Sequence, residues 1–329
     1  MNSKLRKEKD FLLETNEGYT FKIIFELYKF NSYRTLMCLH PKKMLIQGWD
    51  ANQSILILVN LSKSNFTNYK CKVSKYVEVT AIHCHTMLKT IKKKDGLSLY
   101  INSDNPKHLI MRPKRFDSTS NVTEKTVNIN EATSNTRIKI PKDRDDPIVV
   151  PSKDFQKMLK DISSAAGKIT EVTSKDGWIR FVCDNNSVYN ADVTLGVRSS
   201  DSEEEAPEIE FEQSDNEKSD EEEEKKKKEN DAKVNDDKDE ESDDGVERVD
   251  DEDDEDNPYD KNKLYKQSFS TPTLVKLLKM AGLSKHVLIF PRENQALKFK
   301  FIIFGDDTVE ILIKSTSQIA GDEDNNKNV

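Results

Sequence analysis

The stretch VPSKDFQKMLKDIS, residues 150–163, contains the pattern that decides the fold. Its apolar residues recur at the spacing of one helix face: Phe155, Leu159 and Ile162. Its three lysines fall on the other face, at the same spacing. Ser152 is of the residue type preferred at a helix N-cap. The pattern predicts an amphipathic helix over Ser152–Ser163 with a cationic polar face.

Three further segments show the same pattern, namely Tyr19–Asn31, about His83–Lys93 and Thr271–Ala281. Lys22, Glu26 and Lys29 share one face of the first. The second carries Lys89, Lys92 and Lys93, and the last carries Lys276 and Lys279. On a single helix such lysines are most often solvated surface. On four helices they suggest that one long polyanion meets several equivalent helices.

The charge of the chain is divided unevenly. Residues 201–257 hold 31 Asp and Glu against 8 Lys and Arg, a net charge of −23 within a chain of −8. The remaining residues hold 44 basic against 29 acidic side chains, a net of +15. Ordinary lysine richness is one interpretation of this excess. The other is a basic folded body that binds a polyanion.

The acidic tract is predicted to be unstructured, because it has too few apolar residues to offset the entropy of ordering them. Lys225–Lys228 fits a nuclear address by composition, but in this acidic context local charge balance is the simpler interpretation. The polar N-terminus predicts no signal peptide, and no apolar run reaches the length of a membrane span. Four widely spaced cysteines without a CxxC pattern predict reduced thiols.

Strand-like runs follow each helix, and the order of helices and strands is repeated in the two halves of the chain. This predicts an α+β fold with two similar domains, each with two helices packed on antiparallel sheets. Tyr69–Val79 is predicted to be one strand, residues 114–146 a polar linker, and Glu208–Glu212 a short strand. The expected divisions are a tail over 1–9, a first domain over 10–116, a connector over 117–147, a second domain over 148–315 interrupted by a disordered acidic insertion at 214–260, and a tail over 316–329.

The chain resembles a sliding clamp of the proliferating cell nuclear antigen (PCNA) type. The second half keeps the family's Pro151-Ser152, the aromatic Phe155, the basic helix and Lys175-Asp-Gly177 before a strand. Residues 10–50 and 271–315 follow the family's order of elements. The resemblance implies a homotrimeric ring whose helices line a hole around double-stranded DNA of any sequence. It also implies binding of DNA polymerase, other replication or repair proteins and a clamp loader. The sequence contains no Gly-rich phosphate loop and no GxSxG or HExxH pattern, so an enzyme is the poorer hypothesis and no cofactor or metal is expected.

The resemblance carries three sets of residues onto this chain by position. The channel residues would be Lys22, Lys29, Lys89, Lys92, Lys153, Lys157, Lys160, Lys276 and Lys279. The groove for partner peptides would comprise Trp49, Gln53, Ile138, Ile140, Pro141, Ile313, Lys314 and Ser315. The subunit interface would use the strand edges 107–113 and 189–196, with Leu109, Met111, Ala191, Val193 and Leu195. The family's usual Ala-Pro segment is replaced by Ile313-Lys314-Ser315, which puts the usual peptide preference in doubt.

Several alternatives stay open at this stage. Some viral clamp-fold proteins serve late transcription, and an acidic-tract chaperone for basic proteins would explain the tract but not the basic helices. His83-Cys84-His85 lacks the two further ligands of a closed metal site. Lysine and asparagine richness suggests a clamp from a large DNA virus or a protist, located in the nucleus or in a cytoplasmic viral replication factory.

Overall fold

The computed structural model describes residues 8–31, 34–116, 124–133, 146–175, 177–185, 189–196, 264–293 and 295–327, with side chains to Asp322. The predicted strand at Glu208–Glu212 and the acidic insertion lie outside these residues. Within them, no helix is long and apolar enough to cross a membrane.

The first half contains nine strands, two α-helices and a 3-10 helix at Lys63–Asn65 among the described residues. The strands and α-helices are β1 (Lys9–Thr15), α1 (Gly18–Asn31), β2 (Arg34–Leu39), β3 (Lys43–Trp49), β4 (Ile55–Ser62), β5 (Asn68–Cys71), β6 (Lys75–Thr80), α2 (Ala81–Leu88), β7 (Gly96–Asn102), β8 (Asn105–Lys114) and β9 (Lys125–Asn128). The short strand β10 (Asn130–Glu131) leads to the second half.

The second half follows the same plan. Its elements are β11 (Ile148–Pro151), α3 (Ser152–Ala165), β12 (Ile169–Lys175), β13 (Trp178–Cys183), β14 (Ala191–Gly196), β15 (Tyr265–Ser270), α4 (Thr271–Val275), α5 (Leu278–Ala281), β16 (His286–Phe290), β17 (Leu297–Phe304), β18 (Asp307–Ile313) and α6 (Thr316–Lys327).

The strands form three antiparallel sheets, and their order shows an internal repeat. In the first half β6-β2-β3-β4 are neighbours, and in the second β15-β12-β13-β14 are neighbours. Likewise β1-β7-β8-β9 corresponds to β11-β16-β17-β18. The pair β4–β18 joins the two halves into one nine-stranded sheet, β10-β6-β2-β3-β4-β18-β17-β16-β11. The predicted α+β fold with two similar halves is therefore confirmed.

Alternation along the strands and the apolar faces of the helices build one core. On β17, Leu297, Phe299 and Phe301 are fully buried and point the same way, as a period of two requires. The Tyr28 hydroxyl of α1 is buried and donates to the carbonyl oxygens of Ile46 (2.8 Å) or Ile57 (3.1 Å). This hydrogen bond fixes α1 against β3 and β4, and it leaves the opposite face of α1 away from the core.

The structure corrects several predicted elements. The run 69–79 is not one strand, because a turn divides it into β5 and β6, which belong to different sheets. Helix α2 ends at Leu88, and the helix predicted over Thr271–Ala281 is broken into α4 and α5. The linker predicted over 114–146 contains the strands β9 and β10.

The segment predicted as a polar C-terminal tail contains the helix α6. Its start is a capping box: Ser315 Oγ accepts from the Gln318 backbone N–H at 3.3 Å, and Gln318 Oε1 accepts from the Ser315 N–H at 2.8 Å. The spacing Ser-x-x-Gln is the sequence signal for such a cap, and it identifies this helix start.

Candidate nucleic-acid interface

The helices of both halves pack into one layer. Helix α1 packs on α2, α3 packs on α4 and α5, and α1 contacts α5 across the two halves. Two polar contacts tie α1 to the second half. Lys276 Nζ donates to Asn31 Oδ1 at 3.0 Å, and Lys279 forms an ion pair with Glu26 at 2.5 Å. The polar faces of helices from different halves therefore meet on one surface.

Helix α3 presents the most regular cationic face. Lys153, Lys157 and Lys160 are exposed, while Phe155 and Leu159 on the opposite side are completely buried. This division follows the sequence pattern. Three ammonium groups on successive turns of an exposed helix face are suited to contact phosphates as point charges without reading base sequence.

On α1 the predicted lysines differ in environment. Lys29 is exposed, and its Nζ lies 5.4 Å from the centre of the Phe30 ring. Lys22 is half-buried, and its Nζ donates to the carbonyl oxygen of Ile91 at 3.1 Å. Lys22 therefore also fastens the loop after α2 to α1.

The structure changes the predicted environment of the other channel lysines. Lys89 follows α2 directly, and Lys92 lies in the turn beyond it, so both are exposed but neither lies within the helix. Lys276 is half-buried, and burial lowers its pKa, which suits its contact with Asn31 better than a contact with solvent-exposed phosphate. The exposed Lys279 is already paired with Glu26.

Sequence reasoning considers His85 only as a metal ligand, whereas the structure places it on α2 beneath this cationic surface. Burial lowers the pKa of His85, and the positive charges of Lys29, Lys22 and Lys279 lower it further against the attraction of Glu26. These lysines come from α1 and α5, so their charges converge at the junction of α1, α2 and α5. Packing of α1 on α2 brings Lys22 and Lys29 near His85, and the contact between the halves adds Lys279. The sequence carries no local signal for either contact.

A second surface lies on the outer side of the nine-stranded sheet. Leu56 and Leu58 of β4 are buried there and pack with the half-buried Trp49 and Leu312. We call these four residues the outer apolar cluster. Lys314 Nζ lies 5.7 Å from the Trp49 ring centre and 2.8 Å from Asp322 Oδ2 of α6. Helix α6 is thereby held beside the cluster.

The structure changes the predicted list of groove residues. Ile313 points into the core and is buried, because alternation along β18 turns Leu312 outward instead. Ser315 is fully buried as the N-cap of α6. Gln53 is exposed in the turn before β4 with a positive φ of 52°. The remaining predicted members Ile138, Ile140 and Pro141 lie outside the described residues.

The structure corrects one of the two strand edges that were predicted to form the subunit interface. Strand β8 is not an edge, because β9 pairs along it, and Leu109 and Met111 are fully buried. Strand β9 is the outermost strand of that sheet, and β14 is outermost in its own sheet, among the described strands. The side chains of Ala191 and Leu195 are buried and Val193 packs on the core, so β14 would offer its backbone to a partner.

The His83-Cys84-His85 segment forms part of α2, where His83 is exposed and Cys84 is completely buried. Burial raises the pKa of the Cys84 thiol to about 12. In the part of the chain that the structure describes, no three His, Cys, Asp or Glu residues are grouped closely enough to hold a metal ion.

No protein-family model and no curated protein sequence matches the chain. Among solved structures, the fold is similar to that of the Proliferating Cellular Nuclear Antigen from Entamoeba histolytica. The TM-score is 0.64 at 14% sequence identity, and the match covers 94% of this chain and 99% of that protein. The chain has a PCNA-like clamp fold. At this identity the similarity establishes the fold alone.

Proposed function

We propose that this protein is a DNA sliding clamp, a homotrimeric ring that encircles double-stranded DNA and tethers replication or repair proteins. The observation that carries the proposal is the single helical layer with Lys29, Lys153, Lys157 and Lys160 exposed on it. A ring retains DNA by topology, so weak contacts that ignore sequence are what sliding requires. The role is that of a scaffold and needs neither catalysis nor a cofactor.

The internal repeat supports ring closure through β9 and β14. Within the chain β4 pairs with β18, and by the repeat β14 corresponds to β4 and β9 to β18. The equivalent pair β14–β9 is not formed within the chain, so it would form between two copies. Joining β5-β1-β7-β8-β9 to β14-β13-β12-β15 would give nine strands, the same number as in the sheet within the chain. Two different edges give a head-to-tail contact, which closes into a ring when the angles permit.

The outer apolar cluster is the proposed docking site for partner peptides. Trp49 and Leu312 are only half-buried and lie beside buried leucines, so an aromatic or aliphatic anchor would find apolar contacts there. A polymerase peptide and a clamp-loader subunit are the proposed ligands, in the nucleus or in a viral replication factory.

The hydrogen bonds between β8 and β9 show which backbone donors of β9 are left for a partner strand. The Ile129 N–H donates to the Lys107 carbonyl oxygen of β8. Since hydrogen-bonded positions alternate, Val127 and Lys125 also face β8, whereas the backbone N–H of Thr126 faces away from it. Thr126→Pro would remove a donor for the next subunit and keep the pairing with β8. Light scattering should show a trimer for the natural chain and for the control Thr126→Ala, and monomers for Thr126→Pro. A Thr126→Pro trimer would disprove this interface, and a monomeric natural chain would contradict the ring.

A further inference from the structure

A basic and aromatic surface lies outside the helix faces assigned to the channel. The turn after α2 places three consecutive exposed lysines in solvent, Lys92, Lys93 and Lys94. Phe116 is 70% exposed, the largest exposed fraction among the described large hydrophobic side chains, and Lys94 Nζ lies 5.7 Å from its ring centre. We call these four residues the basic–aromatic patch.

A buried carboxylate holds the patch together. Asp95 is only 6% exposed. Its Oδ2 accepts from the Lys92 backbone N–H at 2.9 Å, and its Oδ1 accepts from the Phe116 N–H at 3.2 Å. One side chain therefore fixes the lysine turn and the Phe116 backbone relative to each other. The arrangement exists before any ligand binds, so less ordering entropy is lost on binding.

The patch lies at one end of the helical layer. The Gly18 N–H at the start of α1 donates to the Asp95 carbonyl oxygen at 3.0 Å, and a Cβ on Gly18 would lie 2.7 Å from that oxygen. Lys22 of α1 donates to Ile91 in the same turn. In the proposed ring this is where a DNA strand would leave the helix-lined channel.

The chemistry of the patch fits single-stranded nucleic acid better than duplex. Lysines bind phosphates on either, but an exposed phenyl ring gains affinity only from a base whose face is free, and duplex bases are stacked on each other. An acidic protein segment would use the lysines and gain nothing specific from Phe116. The exposed phenyl group of Phe116 therefore indicates that the polyanion bound by the patch is a single-stranded nucleic acid.

We propose that the basic–aromatic patch binds single-stranded nucleic acid, with an unstacked base on Phe116 and the adjoining phosphates on Lys92, Lys93 and Lys94. Its place at the channel mouth rests on the proposed clamp function, but the binding chemistry does not. In a clamp, the site would receive the unpaired strand where the encircled duplex ends.

The test compares a 15-nucleotide oligo(dT) with a 15-base-pair duplex by fluorescence anisotropy on the full chain. Phe116→Ala should weaken oligo(dT) binding about fivefold or more, the effect of losing one stacked base, and change duplex binding less than about twofold. Phe116→Trp should retain oligo(dT) affinity. Lys93→Gln with Lys94→Gln should weaken both ligands and reduce their salt dependence.

Phe30→Ala is the matched control, because Phe30 is also exposed and also lies beside a lysine, Lys29. An equal loss of oligo(dT) affinity in both alanine variants would overturn the assignment, as would no loss with Phe116→Ala or no oligo(dT) binding by the natural chain. A poly-glutamate peptide that binds as tightly as oligo(dT), without dependence on Phe116, would point to an acidic protein instead. Light scattering on the same samples distinguishes failure of the patch proposal from failure of the clamp proposal. A monomeric protein whose oligo(dT) binding still depends on Phe116 would contradict the trimeric ring and support the patch.

Discussion

The lysine face of α3 gives the most direct prediction about DNA. Charge reversal on Lys22 or Lys279 is a poor test, because Lys22 holds the loop at Ile91 and Lys279 is paired with Glu26, so both changes would disturb contacts between elements. Lys153, Lys157 and Lys160 are exposed on one helix face. Their joint replacement by glutamine removes three charges and is expected to change the free energy of unfolding by less than about 0.5 kcal/mol per site.

The size of the effect follows from counterion release. Each lost phosphate contact lowers the slope of log K against log salt by about 0.9. If all three lysines of one subunit contact phosphates at once, the slope should fall by about 2.7, and if only one does, by about 0.9. Anisotropy with a duplex of about 30 base pairs, titrated between 50 and 200 mM salt, measures the slope.

The control removes the same number of charges elsewhere. The exposed lysines Lys42, Lys63 and Lys70 lie in the β2–β3 turn, in a short 3-10 helix after β4 and on β5, so their replacement by glutamine should leave the slope nearly unchanged. An equal fall in both variants would mean that only net charge matters. A slope like that of the natural chain in the α3 variant would refute the assignment of α3 to the DNA channel.

Three further predictions concern stability, partners and the acidic tract. Burial raises the pKa of Asp307 to about 6 from 3.8, so the folded state holds the proton more tightly than the unfolded chain and loses stability as pH rises from about 4 to about 6. In urea unfolding, the free energy of unfolding of the natural chain should therefore fall by up to about 3 kcal/mol over that pH range relative to that of Asp307→Asn. A difference between the two proteins that stays constant with pH would contradict this prediction. Trp49→Ala should weaken binding of a polymerase peptide about tenfold or more with the trimer intact, whereas equal titration curves would place the partner elsewhere. Deletion of 214–257 should keep trimer mass and strengthen duplex binding at low salt, with a gain that shrinks as salt rises, and loss of all DNA binding on deletion would favour a tract-centred function.

Sequence patterns predicted the helices α1 and α3 well, because each has an uninterrupted apolar stripe on a 3.6-residue period. The sequence also indicated that strands follow each helix, as the structure shows. The division of the chain into two similar halves could be predicted, since the order of elements repeats. The sequence pattern did not predict β9, because its four residues contain a single buried side chain, Val127, and give almost no periodic signal.

The surfaces were harder to predict than the fold, because they depend on contacts between distant segments. Lys276 has the sequence environment of a surface lysine, and only its approach to Asn31 makes it part of the packing. Ile313 was assigned to the groove by position, although the alternation of Val309 and Ile311 already indicated that it points inward. Phe116 and Asp95 carried no motif, and a hydrogen bond over 21 positions of sequence brings them together.

The internal repeat also bears on how a ring of this chain would open. The pair β4–β18 spans six residue pairs, and Ile55, Ile57 and Val59 meet the buried side chains of β18 in the core. Strand β9 is only four residues long and buries one side chain. A joint between β9 and β14 would thus involve fewer backbone hydrogen bonds and less apolar surface than the equivalent joint within the chain. In such a ring the joint between copies would be the weaker one, so the ring would part at β9–β14 and leave each nine-stranded sheet intact while DNA enters.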